Sequence, residues 1–332
     1  MIKLAVDIMG GDNAPIEIIK GVNIAIKDYD DIELTLFGDE TVIKKYLIPS
    51  NRVKIVNAPK ALDMGEKDAI SAIRKNRDLS LVQAFNAVFN KECDGVVTAG
   101  PTQGVIAGAH LIVRRMRGMK RVALCPVLPQ FAGKNRLLLD VGANTEIRAE
   151  HILQHAQIAS IYVRETQGIK EPLVGLVNIG TEPGKGRDLE KELFTLLSND
   201  NSVNFYGNVE MKEILSTPCD ILVTDGFSGN LVMKTMEGTA KAMGQALKEE
   251  ISRTLSGKIG YLFMKKNLHN FKERLNPDAI GGAVLFGADG IIVKAHGSSN
   301  AFAFSRAIYQ ARQAVKGHVV ELMKEKLVDI DG

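Results

Sequence analysis

The sequence predicts an α/β fold, a three-layer α/β/α sandwich around a mostly parallel sheet, and three observations predict it. Short β-branched runs alternate with longer amphipathic segments along all 332 residues. Several of those runs are apolar at consecutive positions, as strands covered by helices on both faces must be. The 31 glycines are too many for helices alone and suit repeated strand-to-helix turns.

In chain order, Leu4-Ala5-Val6 reads as a strand and 15–28 as a helix with Pro15 in its first turn. Strands at Glu33–Phe37 and Val53–Val56 precede a long helical segment at 67–91. Gly95-Val96-Val97-Thr98 leads into a helix over 104–117, and Leu137–Val141 into one over 147–166. Leu173–Val177 precedes a helix at 188–198, and Asp220–Thr224 precedes one at 229–254. Ile291-Ile292-Val293 is followed by the last helix, 300–327. No repeat, low-complexity tract or linker interrupts this order. At this length one core nears its practical limit, so a single large domain over 1–332, or two lobes sharing the sheet, is expected.

A net charge of +3 excludes a protein that coats nucleic acid. The charge is uneven, however. Residues 95–139 carry +7 and residues 251–275 carry +5, over a remainder of −9. Cys93, Cys125 and Cys219 stand far apart with no CxxC, which fits a reducing cytoplasm and neither a disulfide framework nor a zinc ribbon. The opening MIKLAVDIMGGD does not read as a signal peptide. No run reaches the roughly 18–20 apolar residues that span a bilayer.

Ligands of such sheets bind where strands feed helix N-termini. Five loops qualify. Asp7, Gly10, Gly11 and Asp12 follow the first strand, where two glycines permit close backbone approach or else a tight turn capped by Asp12 or Asn13. Thr98–Gly104 opens the first basic block, with Arg114, Arg115 and Arg117 on the next helix and Lys120 and Arg121 beyond. Gly180, Thr181, Gly184, Lys185 and Gly186 set a lysine between glycines, a small phosphate cradle. It is not a Walker A loop, because Gly186 replaces the hydroxyl residue that would hold magnesium.

Thr224-Asp225-Gly226-Phe227-Ser228-Gly229-Asn230 leads into the longest helix. Asp225 and Ser228 fit helix caps, and Asn230 fits an amide aimed at a ligand oxygen. The frame lacks GxSxG, so Ser228 is not read as an acylated serine. Last comes Lys294-Ala295-His296-Gly297-Ser298-Ser299. His151 and His155 lack the glutamate of HExxH and read as surface residues rather than metal ligands. The absence of GxGxxG with a following acid counts against a dinucleotide cofactor. Together the loops describe a site for an anion, most simply a phosphate, with no metal and no cofactor.

Residues 251–275 repeat Leu255, Ile259, Leu262, Phe263, Leu268, Phe271 and Leu275 at helical steps, with Lys265 and Lys266 among the intervening cations. Gly257 and Gly260 predict a broken helix or hairpin projecting from the body. Such a segment suits either an anionic membrane surface or packing on the core or a second subunit.

Seven motifs in order make the chain resemble the bacterial phosphate acyltransferases of phospholipid synthesis, the PlsX family. They are Ala5–Asp12, Leu139–Asn144, Gly180-Thr181-Glu182 with Lys185-Gly186, Gly207–Glu210, Thr224–Asn230, Gly281–Gly287 and Lys294–Ser299. The resemblance implies a homodimer with an α/β/α fold related to isocitrate and isopropylmalate dehydrogenases, without their cofactor. It implies transfer of a long-chain acyl group from acyl carrier protein to inorganic phosphate. A membrane glycerol-3-phosphate acyltransferase would consume the acyl phosphate. In that family the residues matching Lys185 and Asn230 are regarded as catalytic.

The resemblance makes Asp7, Gly10, Gly11, Asp12, Gly180, Thr181, Gly186, Thr224, Asp225, Gly226, His296, Gly297 and Ser298 candidate substrate contacts. Arg114, Arg115 and Arg117 fit an acidic carrier protein, and Lys265 and Lys266 an anionic lipid surface. Pro101 and Gln103 replace residues usual in the family, and both are left out of the site. The alternatives are a phosphotransacetylase-like enzyme using acyl-CoA, a metal- and NAD-dependent decarboxylating dehydrogenase, and a diverged membrane-associated scaffold. The expected setting is the cytoplasm, with peripheral membrane attachment.

Overall fold

The computed structural model describes residues 1–128, 135–274 and 281–331; Leu275 of the basic block lies outside them. The strands are β1 (Ile2–Asp7), β2 (Ile32–Gly38), β3 (Val53–Asn57), β4 (Gly95–Thr98), β5 (Ala123–Leu128) and β6 (Arg136–Leu139). They continue with β7 (Leu173–Asn178), β8 (Asn204–Glu210), β9 (Ile221–Val223), β10 (Ala283–Phe286) and β11 (Ile291–Lys294). The helices are α1 (Ile16–Asp28), α2 (Glu40–Tyr46), α3 (Ala69–Lys75), α4 (Ser80–Phe89), α5 (Thr102–Gly108) and α6 (Ala149–Gln167). After them come α7 (Asp188–Asn199), α8 (Gly226–Arg253), α9 (Leu255–Arg274), α10 (Ala301–Lys316) and α11 (Val319–Asp331).

One 11-stranded sheet runs β3-β2-β1-β4-β11-β10-β5-β6-β9-β7-β8. Alternate residues of its strands feed opposite layers, as the two-residue period of a strand requires. Leu4, Val6, Val97, Val293, Leu139 and Val223 pack in one layer with α1, α6, α7 and α10. Ala5, Val96, Leu285 and Ile292 pack in the other, with α4 and α5. Leu138, Val177 and Leu222 extend that second layer and meet Val232, Met233 and Met236 of α8. Burial on both faces is why these strands read as unbroken apolar runs.

Pairing is parallel except in the middle. There β10 runs antiparallel to both β11 and β5, and β5 antiparallel to β6. The two halves of the sheet therefore point in opposite directions. β1, β4 and β11 deliver their carboxyl ends to one edge, while β6, β7 and β9 deliver theirs to the other.

The sequence reading omits β5, β8 and β10. Cys125-Pro126 interrupts β5, polar residues alternate through β8, and β10 is only four residues long. The helix expected over 67–91 is two, α3 and α4, and that over 300–327 is also two, parted at Gly317 and His318. The helix expected to 117 ends sooner. After α5 a π-helical turn, Ala109–Val113, stops at Arg114, whose φ is 72°. Arg115 and Arg117 thus lie beyond the helix. Gly257 and Gly260 do not break α9; the break falls at Thr254, whose hydroxyl accepts the Gly257 N–H at 3.0 Å and restarts the helix.

His155 is not a surface residue, whereas His151 is partly exposed beside Glu150. His155 is fully buried, and Gln154 beside it binds the 118–120 turn. The His155 ring hydrogen-bonds the Arg121 carbonyl at 3.1 Å, and burial pushes its pKa down to about 4. The helix places this face on the sheet, which a lone sequence spacing does not reveal.

Candidate active site

The predicted residues gather into two clusters, one at each edge of the sheet. The first forms where β1, β4 and β11 end. Asp7 is 1% exposed, and its carboxylate accepts from Ser80 Oγ at 2.6 Å and Thr98 Oγ1 at 2.7 Å. Burial raises the Asp7 pKa against those bonds. This carboxylate is saturated and braces the loop from beneath.

A Cβ on Gly10 would stand 2.5 Å from the Asp7 carboxylate and 2.8 Å from the Gly100 nitrogen, so only glycine lets the first and second loops touch. The Asp12 N–H donates to Gly297 O at 2.8 Å, and Asn13 Nδ2 donates to Ser298 O at 2.9 Å. Asn13 is thereby a clamp between loops, and neither it nor Asp12 caps α1. His296 is exposed, with its Nδ1 2.8 Å from Ser298 Oγ.

The second cluster forms where β6, β7 and β9 end. Asn178 donates to the Lys185 carbonyl and to Asn208 Oδ1, both at 3.1 Å. Asn208 in turn donates to Glu182 O at 2.7 Å. Two amide side chains thus shape the loop carrying Gly180, Thr181 and Lys185. The Lys185 side chain is half exposed, its ammonium 3.8 Å from Glu182. Gly186 has φ 90°, and a Cβ there would stand 2.7 Å from Asn178 Oδ1.

Arg187, next in the chain, joins this loop to α8. Its guanidinium bonds both Glu190 and Asp225. Burial raises the Asp225 carboxyl, but the Ser228 N–H and Arg187 outweigh it and hold the pKa below the usual range. Asp225 also caps α8, accepting the Ser228 N–H at 2.7 Å. Ser228 donates its hydroxyl to the same carboxylate at 3.0 Å.

Because α8 begins at Gly226, Asn230 stands in the second turn, exposed and close over Gly142. Thr224 is buried beneath, its backbone paired with Leu139 and Asp140. Gly226 and Gly229 allow the helix to seat: a Cβ on Gly229 would fall 1.9 Å from Asp140 O. Asp140 itself accepts from the Leu124, Ala143 and Asn144 N–H groups. Asn144 then donates to Val122 O at 2.6 Å, tying this edge to the turn after the exposed cations Arg114, Arg115, Arg117, Lys120 and Arg121.

α8 links the clusters. Lys234 lies one turn beyond Asn230, about 6 Å along the axis. With Glu237 and Asp12 it contributes to the field at Lys294, the last residue of β11. The sequence reading quoted Lys294 without assigning it a role, and assigned none to Arg187. Asn178 likewise received no role, and Asn208, Asp140 and Asn144 entered only as members of quoted motifs, because their work is done through hydrogen bonds to other loops. An asparagine or aspartate at the end of a predicted strand was the available signal.

All three cysteines are buried, and burial raises the pKa of each. Chemically, the second cluster offers a glycine-framed lysine whose loop is joined, through Arg187 and Asp225, to the helix carrying an exposed amide donor. That pairing suits an anionic nucleophile attacking a carbonyl.

The family model of the fatty acid synthesis protein matches residues 2–322. A phosphate acyltransferase of Acholeplasma laidlawii is 50% identical over 98% of this chain and 98% of its own length. A phosphate acyltransferase of Staphylococcus aureus is 43% identical, again over 98% of each. Among solved structures, a branched-chain phosphotransacylase from Enterococcus faecalis aligns with TM-score 0.57 at 15% identity, covering 95% of this chain and 100% of that one. A phosphotransacetylase from Streptococcus pyogenes aligns with TM-score 0.58 at 16% identity, over 95% and 94%. These two likenesses establish the fold alone.

Proposed function

Given that the chain belongs to the fatty acid synthesis protein family and is an acyltransferase of the phosphate acyltransferase type, we infer that it transfers a long-chain acyl group from acyl carrier protein to inorganic phosphate. The products are acyl phosphate and free carrier protein. The observation that carries this reading is the latch from Arg187 to Asp225, which ties the Lys185 loop to the helix bearing Asn230. Lys185 and the N–H groups about Gly180, Thr181 and Gly186 hold the phosphate. Asn230 donates to the thioester oxygen as it becomes an oxyanion. Phosphate is itself the nucleophile, so no acyl-enzyme is required.

The charge distribution supports a carrier protein rather than a small free thioester. Arg114, Arg115 and Arg117 are exposed at the same sheet edge as Asn230, and this patch fits an acidic protein. A second copy of the chain would cover α8, whose outward side exposes Phe227, Leu231, Met243 and Leu247. α9 leaves Leu255, Ile259, Leu262 and Phe263 exposed beside Lys258, Lys265 and Lys266, a composition suited to an anionic membrane surface. No described helix is long and apolar enough to cross a membrane. Such attachment would hand acyl phosphate to a membrane glycerol-3-phosphate acyltransferase, within phospholipid synthesis in the cytoplasm.

The test is acyl phosphate formation by the purified protein, with acyl carrier protein and CoA thioesters of one chain length compared. Phosphate-dependent release of carrier protein is expected. Equal or better use of the CoA thioester would replace the carrier-protein reading with the phosphotransacetylase-like one.

A further inference from the structure

A donor at a developing oxyanion works only if it is already in place when the charge forms. Asn230 is exposed, and its amide has no hydrogen-bond partner among the described residues to hold it. The turn that follows β6 lies against it instead. A Cβ built on Gly142 would stand 3.7 Å from Asn230 Cγ, so the turn passes in contact with the amide.

Every N–H of that turn is already committed. Val141 donates to Leu124 O at 2.9 Å, and Gly142 to Gly226 O at 3.0 Å. Ala143 and Asn144 donate to the Asp140 carboxylate at 3.2 and 2.7 Å. The turn thus has no N–H left for a ligand. It is a platform, and the amide beside it is the free donor.

Asn144 fastens this platform on two sides. Toward α8, its carbonyl accepts the N–H of Gly226, the first residue of the helix, at 2.8 Å. A Cβ on Gly226 would fall 2.5 Å from the same oxygen, so the helix start rests against Asn144. Toward the sheet, its Nδ2 donates to Val122 O at 2.6 Å and to Asp140 Oδ2 at 2.9 Å. Asp140 is buried and accepts the Leu124 N–H at 2.9 Å, so both ties run to the start of β5. The Arg187 latch is a separate support, reaching Asp225 from the side of the Lys185 loop.

We propose that Asn144 is a positioning residue for Asn230. Its side chain fixes the 140–144 turn on which the first turns of α8 rest, and so aims the amide at the thioester oxygen. The inference rests on the acyl-to-phosphate reading and deepens it. Asn144 touches neither reactant and acts through Asn230 alone.

The experiment is a double-mutant cycle on the full chain, with acyl-[acyl carrier protein] and inorganic phosphate as substrates. Asn144→Ala removes both Nδ2 donations and leaves the backbone donors and acceptors of residue 144 in place. It should lower kcat by about 10–10²-fold, the cost of a misplaced group. KM for phosphate should not change, because the Lys185 loop is held by its own latch. In an Asn230→Ala background the same substitution should lower kcat by less than about 2-fold, since the group it positions is gone. Asn144→Ser keeps one donor and should repeat the pattern with a smaller loss, which serves if Asn144→Ala does not fold.

Losses that multiply in the double variant, unchanged kcat in Asn144→Ala, or a raised phosphate KM at constant kcat each overturn the proposal. A wild-type protein that releases no carrier protein with phosphate overturns the acyl-transfer reading instead. Circular dichroism and thermal denaturation of each variant separate loss of fold from loss of chemistry.

Discussion

The Arg187 guanidinium bonds the buried Asp225 carboxylate that caps α8, although the two residues belong to loops after different strands. This ion pair thus ties the Lys185 loop, which Asn178 and Asn208 shape, to the helix that carries Asn230. Arg187 is a positioning residue, since the acceptor it holds is already committed to the helix.

Arg187→Ala should lower phosphate affinity more than it lowers stability. The guanidinium is 59% exposed, so solvent screens much of the pair, and the loss in unfolding free energy should be about 1–2 kcal/mol. The freed loop should raise KM for phosphate, and saturating phosphate should recover much of the rate. Thermal denaturation and phosphate titrations check both halves.

Lys185→Ala and Asn230→Ala should each cost roughly 10²–10³ in turnover, the usual loss for one donor at a developing oxyanion or transferring group. Both side chains are exposed enough that folding should be unaffected. Near-wild-type release of carrier protein by either variant would remove it from the site.

His155 should make the fold acid-sensitive before its carboxylates do. Its folded pKa of about 4 lies below the ordinary histidine value of 6.5. The unfolded chain therefore binds the extra proton first. Stability is full above pH 6.5 and falls as pH drops toward 4, by about 3 kcal/mol in all. Denaturant titrations across that range should show the decline, and His155→Gln should flatten it.

Lys265→Glu with Lys266→Glu should reduce recovery of the protein with liposomes containing anionic phosphatidylserine. Phe263→Ser should do so with neutral liposomes as well, since Phe263 is 85% exposed and contributes apolar area rather than charge. Unchanged sedimentation in both would assign the α9 surface to a second subunit.

The site was legible in the sequence wherever the backbone itself does the work. Gly10, Gly186 and Gly226 stand out as glycines in loops after strands; at Gly186 the atoms a Cβ would meet are near in the chain, while at Gly10 and Gly226 they include the distant Gly100 and Asn144. Asp225 announced its cap three residues before Ser228 in the same way. Lys294 and Arg187 did not stand out, because the groups that give them meaning lie at residues 12, 234 and 225.

Apolar runs and strand-to-helix turns were enough to determine the α/β/α class, since burial on two faces imposes a pattern each strand displays by itself. The reversal at β10 and β5 belongs to the tertiary structure alone. Strand direction depends on which neighbours pair, and hydrogen bonds between distant residues leave no period in the chain. That reversal sends the predicted loops to two edges of one sheet, and α8, which starts beside one cluster at Asn230, brings Lys234 and Glu237 to Lys294 of the other.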